Sequence, residues 1–168
     1  MPKRDNNLEA LRDAMVIRGK ITEILRNLLR QSQRKIEQLD ESLGNAPAEQ
    51  RSEILEQIRE ERVKAVIVDK EIDNLFAVGA RLTGALRTAN TIYPDVKQPY
   101  GLEEIKERRI WMDRALGACN VIQDELQYIA EAVYADKNKF TPLCLDVDAL
   151  FLKIKSLRQA DNRFLREA

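Results

Sequence analysis

Three arginines set four residues apart, Arg26, Arg30 and Arg34, form the clearest chemical pattern in this sequence. On a helix that spacing stacks them along one face as a ridge able to follow a phosphate backbone. They belong to a basic stretch, 11–35, which also holds Arg12, Arg18, Lys20 and Lys35 and carries a net charge of +5. The next stretch, 36–61, carries −6 through Glu37, Asp40, Glu41, Glu49, Glu53, Glu56, Glu60 and Glu61. The C-terminal segment turns basic again, at +3, with Lys153, Lys155, Arg158, Arg163 and Arg166. Totals conceal this polarisation, because 28 basic residues balance 28 acidic ones. The expected nucleic-acid contacts are therefore Arg18, Lys20, Arg26, Arg30, Arg34, Lys35, Lys153, Lys155 and Arg158. No aromatic residue interleaves with the ridge, so contact should be salt-sensitive and sequence-tolerant rather than base-stacking. The competing reading is a set of solvated helix faces whose charges pair with neighbouring acids.

Other chemistry is excluded by what is missing. There is no histidine, which removes imidazole bases, His-containing triads, Cys/His zinc sites and the carboxylate–histidine di-iron bundle. Cys119 and Cys144 are too few and too far apart for a metal knuckle or a redox pair, and read as small core residues from a reducing compartment. Gly79, Gly84 and Gly117 lack the spacing of a phosphate loop and read as points of close helix–helix approach. No cofactor or metal is expected. Asp161, Arg109 and Gln123 fall on otherwise apolar stripes. A buried carboxylate needs a partner, so Asp161 should meet an arginine such as Arg87, Arg109 or Arg158. That pair either fixes register at one end of the fold or forms a polar rim against a partner protein. Trp111, the only tryptophan, sits off the main stripe, where it covers a second seam or an oligomer surface.

The elements that must hold these residues are helices. Charged residues make up 33% of the chain and aromatics 5%, with six glycines and five prolines, a profile of long solvent-rimmed helices. The prolines fall between periodic segments and mark their ends. A first helix is predicted over 6–43, ended at Gly44-Asn45-Ala46-Pro47 with Gly44 as a left-handed cap. A second covers 48–93, with the heptad seam Val68, Ile72, Leu75, Gly79, Leu82, Leu86 and Ala89. The third, 102–135, buries Ile105, Met112, Leu116, Cys119, Leu126 and Val133. Thr141 and Pro142 are expected to open the fourth as N-cap and first residue, with Leu143, Val147, Leu150, Ile154, Leu157 and Phe164 inward. The only long loop is 94–101. The fold class is thus all-α: one domain, an antiparallel four-helix bundle over 6–36, 63–93, 102–135 and 141–166. Helices one and two outrun the others and extend as a hairpin arm over 37–62. No apolar run is long enough for a membrane span and no secretory signal is visible, so a cytoplasmic location is expected.

From Arg87 onward the sequence resembles a known family. The matching residues are Ala89-Asn90, then Glu104, Glu107 and Arg108, next Ala115, Cys119 and Asn120, and finally Ile154, Leu157, Arg158, Asp161 and Asn162. Their order and spacing are similar to the four-helix-bundle proteins that include the accessory variability determinant of diversity-generating retroelements and the proteins of ribosomal intervening sequences. The resemblance implies a non-enzymatic homo-oligomer, a pentameric barrel with a basic surface, that engages a reverse transcriptase and its template RNA or cDNA. Together with Arg87 and Trp111, the matched Asn90, Arg108, Asp161 and Asn162 are then candidate partner contacts.

Two other readings stay open. Leu8, Leu11 and Arg12 faintly resemble the start of an all-helical chorismate mutase, but Leu29 and Asp40 stand where its later basic residues belong. Alternatively, the seams and the charged arm build an oligomeric adaptor that binds no nucleic acid.

Overall fold

The computed structural model describes residues 2–92, 101–133 and 137–167. They form four helices: α1 Pro2–Asn45, α2 Ala48–Thr91, α3 Gly101–Ala132 and α4 Lys137–Glu167. Among the described residues there is no strand. Packing follows the cycle α1 to α2 to α3 to α4 and back to α1. Cross-helix contacts such as Lys35 with Glu61, Glu9 with Lys153 and Arg108 with Asp161 show each neighbour running antiparallel. This is the predicted four-helix bundle.

The seams make the core. Ile21 and Leu25 of α1, Leu75 and Leu82 of α2, Ile122 and Leu126 of α3, and Leu150 and Ile154 of α4 are all fully buried. Their three-and-four spacing turns one apolar stripe per helix toward a shared axis. Ile72, Leu116, Val133 and Leu157 are only half-buried at the edges of that core. No helix among the described residues is long and apolar enough to cross a membrane.

The helix ends depart from expectation in three places. Gly44 remains right-handed helix and α1 continues to Asn45. The chain reverses instead through Ala46 and Pro47, with the Ala46 amide donating to Leu43 O at 3.4 Å and the Arg51 Nε donating to Ala46 O at 3.3 Å. Pro47, extended at φ −63° and ψ 154°, caps α2 and so needs no left-handed glycine. At its other end α2 stops at Thr91, where the Ile92 amide closes on Thr88 O at 3.3 Å. Finally, α4 begins at Lys137, so Pro142 lies inside it and Thr141 is not its cap. The earlier start carries Phe140 into the core, where it is 3% exposed. That burial offsets the one amide donor the proline ring removes. The expected loop 94–101 lies, save for Gly101, outside the described residues, as do Tyr93, Ala135 and the side chain of Phe164.

α1 and α2 each run 44 residues, against 32 and 31 for α3 and α4. The excess of about twelve residues, roughly 18 Å of helix, projects past the ends of α3 and α4 as a two-helix arm. There Ile58 is buried against α1, while Ile36, Leu39, Leu43 and Ile54 are half-buried. Shortening Leu126, 0% exposed, to alanine should cost about 2–5 kcal/mol in urea unfolding, cavity included. The same change at Leu152, 61% exposed, should stay within about 0.5 kcal/mol.

Candidate nucleic-acid interface and the polar contacts around it

Arg26, Arg30 and Arg34 are exposed on α1. Helical spacing places them on the side opposite Ile17, Ile21 and Leu25, so they point straight into solvent. Successive guanidinium groups rise about 6 Å along the axis and the three span about 12 Å. None of them makes an ion pair or side-chain hydrogen bond with another described residue. Arg12, exposed on the same face, extends the line toward the start of α1; it belonged to the basic stretch but was not among the expected contacts.

Most of the other expected cations are engaged within the fold. Arg18 is half-buried between α1 and α2, and its Nη1 donates to Thr83 Oγ1 at 3.0 Å. Thr83 Oγ1 in turn donates to Gly79 O at 3.1 Å. A Cβ on Gly79 would sit 3.0 Å from Arg18 Cγ and 3.2 Å from its Nε, so this glycine makes room for an arginine stem. The close approach expected at Gly79 is therefore side chain against backbone. At Gly84 and Gly117 nothing lies within 4 Å of an added Cβ, so no helix approaches closely there. They floor an open groove between α2 and α3, flanked by Trp111 and Val121.

Lys20 meets Asp146 of α4 at 2.6 Å, and Lys153 bridges back to Glu9 and Asp13 of α1. Hydrogen bonds that the Lys153 ammonium donates to Asp13 and Glu9 raise it above its ordinary value. Lys35 reaches the buried Glu61 at 2.9 Å, with Lys64 also close at 3.6 Å. Burial works to raise the Glu61 carboxyl, but the Lys35 bond and charge, the Lys64 charge and a Ser32 hydrogen bond together hold it below its usual value. Arg158 lies along Asp113, with Nε 2.6 Å from Oδ1. Of the nine expected contacts, Arg26, Arg30, Arg34 and the exposed Lys155 thus keep their heads open to solvent.

The expected partner contacts divide in the same way. Arg87 is exposed, while Asn90, Trp111 and Asn162 are half-buried. The Arg114 guanidinium stacks 4.4 Å from the centre of the Trp111 ring. Arg108 and Asp161 are instead interior groups, 2% and 4% exposed. Arg108 Nε donates to Asp161 Oδ2 at 2.7 Å, and its Nη1 reaches the carbonyls of Ala89 and Ile92, each at 3.4 Å. The arginine that Asp161 requires is therefore Arg108, rather than Arg87, Arg109 or Arg158. Its fork closes the C-terminal end of α2 while tying α3 to α4.

One acidic contact was not foreseen. Glu71 of α2 is buried between Val68 and Leu75 in the seam, with a hydrogen bond to Glu125 of α3. Asn74 donates to its Oε1 at 3.3 Å, and its Oε2 has no partner among the described residues. Burial first, and then the Glu125 hydrogen bond and charge, push the Glu71 carboxyl up to about 7; Asn74 and Lys70 act the other way. The cysteines are inert core groups: burial pushes the Cys119 thiol up to about 12, and burial with the Asp148 charge raises that of the half-buried Cys144. Among the described residues no three acidic or thiol side chains gather as a metal site.

Removing Arg108 as Arg108→Ala leaves a buried carboxylate unpaired and should cost about 3–5 kcal/mol by chemical unfolding. For Glu71 the native state keeps a proton that the unfolded chain releases near 4.5. Its stabilising contribution is whole below pH 4.5 and is lost as pH rises through about 7. Melting midpoints should accordingly fall between pH 5 and 8 by more in the parent protein than in Glu71→Gln. No protein-family model, curated protein or solved structure matches this chain.

Proposed function

We propose that this chain is a non-catalytic accessory protein that holds a nucleic-acid strand by its phosphates along α1 in the service of a reverse transcriptase. One observation carries the phosphate reading: Arg26, Arg30 and Arg34 are left unpaired on a fold that pairs most of its other candidate cations. An arginine that stabilised the bundle would be expected to reach one of the chain's 28 acids; these three pair with none of the described ones, although the exposed Glu23 and Glu37 stand three residues from Arg26 and Arg34 on the same helix. Lys155 is the other unpaired cation of the set. A polymerase partner, with template RNA or cDNA as the strand, is supported by the resemblance of Ala89, Asn90, Arg108, Asp161 and their neighbours to the retroelement accessory determinants. Ala89, Arg108 and Asp161 are interior, so what they support is the bundle that presents the surface. In this reading the partner meets the exposed Arg87 and the half-buried Trp111.

A second reading, an oligomeric adaptor without nucleic acid, is favoured by the uncovered apolar residues Leu55, Val63 and Val66 on the arm. The two separate on salt dependence. Three phosphate contacts release counterions, so log K should fall with log salt at a slope of about −2 for single strands and nearer −3 for duplex. Replacing Arg26, Arg30 and Arg34 by glutamine should remove that slope in fluorescence anisotropy with a mixed-sequence RNA. Equal affinity and equal slope in parent and variant would leave the adaptor standing.

A further inference from the structure

Beyond the core of the arm, α2 carries a second stripe, directed outward. Leu55, Val63 and Val66 are 50%, 55% and 66% exposed, and with Leu43, Ile58 and Ile67 they line an open groove along the hairpin. No other described helix covers this stripe, which runs from the arm at Leu55 onto the bundle at Val63 and Val66. The charges beside it are ordered. Arg59 and Arg62 precede Val66 by seven and four residues, while Asp69, Lys70 and Asp73 follow it by three, four and seven. All five are exposed, and among the described residues only Arg59 has an ion-pair partner, Glu56 at 3.5 Å on its own helix.

One border of this face is self-complementary. At 100° per residue Arg62, Asp69 and Asp73 share one border of the outward face, and Arg59, Val63 and Lys70 share the other. When two such helices lie antiparallel about a two-fold axis, each border meets its own copy, and residues equally distant from the axis on opposite sides come together. With the axis at Val66, that residue meets itself. Arg62 then falls beside Asp69 and Asp73 of the second copy, and Val63 against the methylene stem of its Lys70. Arg62 and Lys70 stand equally far from Val66, but on opposite borders, so they do not confront each other; on its own border Lys70 comes near Arg59 of the second copy, whose charge is met by Glu56. The contact from Leu55 to Ala77 is about 33 Å long, with apolar side chains at Leu55, Val63, Val66 and Ala77. A phosphate backbone would be repelled by Asp69 and Asp73, whereas a second copy brings those two acids to each Arg62.

We propose that the outer face of α2 pairs two copies of this chain, antiparallel, about a two-fold axis at Val66. The pairing is independent of the phosphate reading, because the arginine ridge lies on α1. Size-exclusion chromatography with light scattering should find a dimer of the parent protein at about 100 μM chain. Arg62→Asp sets like charges together and should return it to monomer, while Arg62→Asp with Asp69→Arg and Asp73→Arg should restore the dimer. Circular dichroism checks that each exposed-site variant stays folded. A residue on the axis must cross-link to itself: in a Cys144→Ser background, Val66→Cys should give a covalent dimer with oxidised glutathione. Leu145→Cys, equally exposed on α4, should not. A monomeric parent, or an oligomer indifferent to Arg62→Asp and without the Val66→Cys cross-link, overturns the proposal.

Discussion

The guanidinium of Arg108, held 2.7 Å from Asp161 and within reach of the last carbonyls of α2, is the contact on which the geometry of the molecule turns. Apolar seams with a heptad repeat specify which faces meet, but they are nearly indifferent to sliding by one repeat. A buried charge is not indifferent, since a slip of one turn would strand it without a partner in a poorly solvating interior. One side chain thereby fixes α2, α3 and α4 along the bundle axis. Arg18 with Thr83 does the same for α1 against α2, and Lys20 with Asp146 for α1 against α4. Where α3 and α4 stop along the longer pair is set by these contacts, and so is the length of the arm.

The same economy explains the distribution of free charge. A chain with equal numbers of acids and bases can neutralise itself only where helices bring opposite signs together. Across the α1–α4 seam Lys20 and Lys153 find acids, and across α1–α2 Lys35 finds Glu61. On the side of α1 that faces neither neighbour the acids, such as the exposed Glu23 and Glu37, belong to α1 itself, and there the arginines remain without a partner from another helix. Exposure of Arg26, Arg30 and Arg34 is thus a result of helix orientation as much as of composition.

Fold class was legible because heptads and prolines report directly on helix faces and ends. The seam from Val68 to Ala89 and the stripe from Leu143 to Ile154 were read from spacing alone, and both are buried. Ends that depend on tertiary packing were not legible. Phe140 draws α4 back past Pro142, and Pro47 makes a left-handed Gly44 unnecessary. Asp161 could be recognised as a buried acid, but not its partner: Arg87, Arg109 and Arg158 were plausible until helix phase put Arg108 opposite it. Glu71 was hidden for the same reason, since Ile72 beside it looked like the seam residue. That Lys20 and Lys153 were spent on internal pairs was likewise invisible, because those pairs join residues more than a hundred positions apart.

α1 and α2 pass from bundle to arm as unbroken helices, with no proline between the tip and the Arg18–Thr83 contact. The hairpin and the arginine face therefore share one continuous helix, α1, with no loop between them to act as a hinge. The orientation of the tip is tied to that of the cationic side through the backbone hydrogen bonds of a single element.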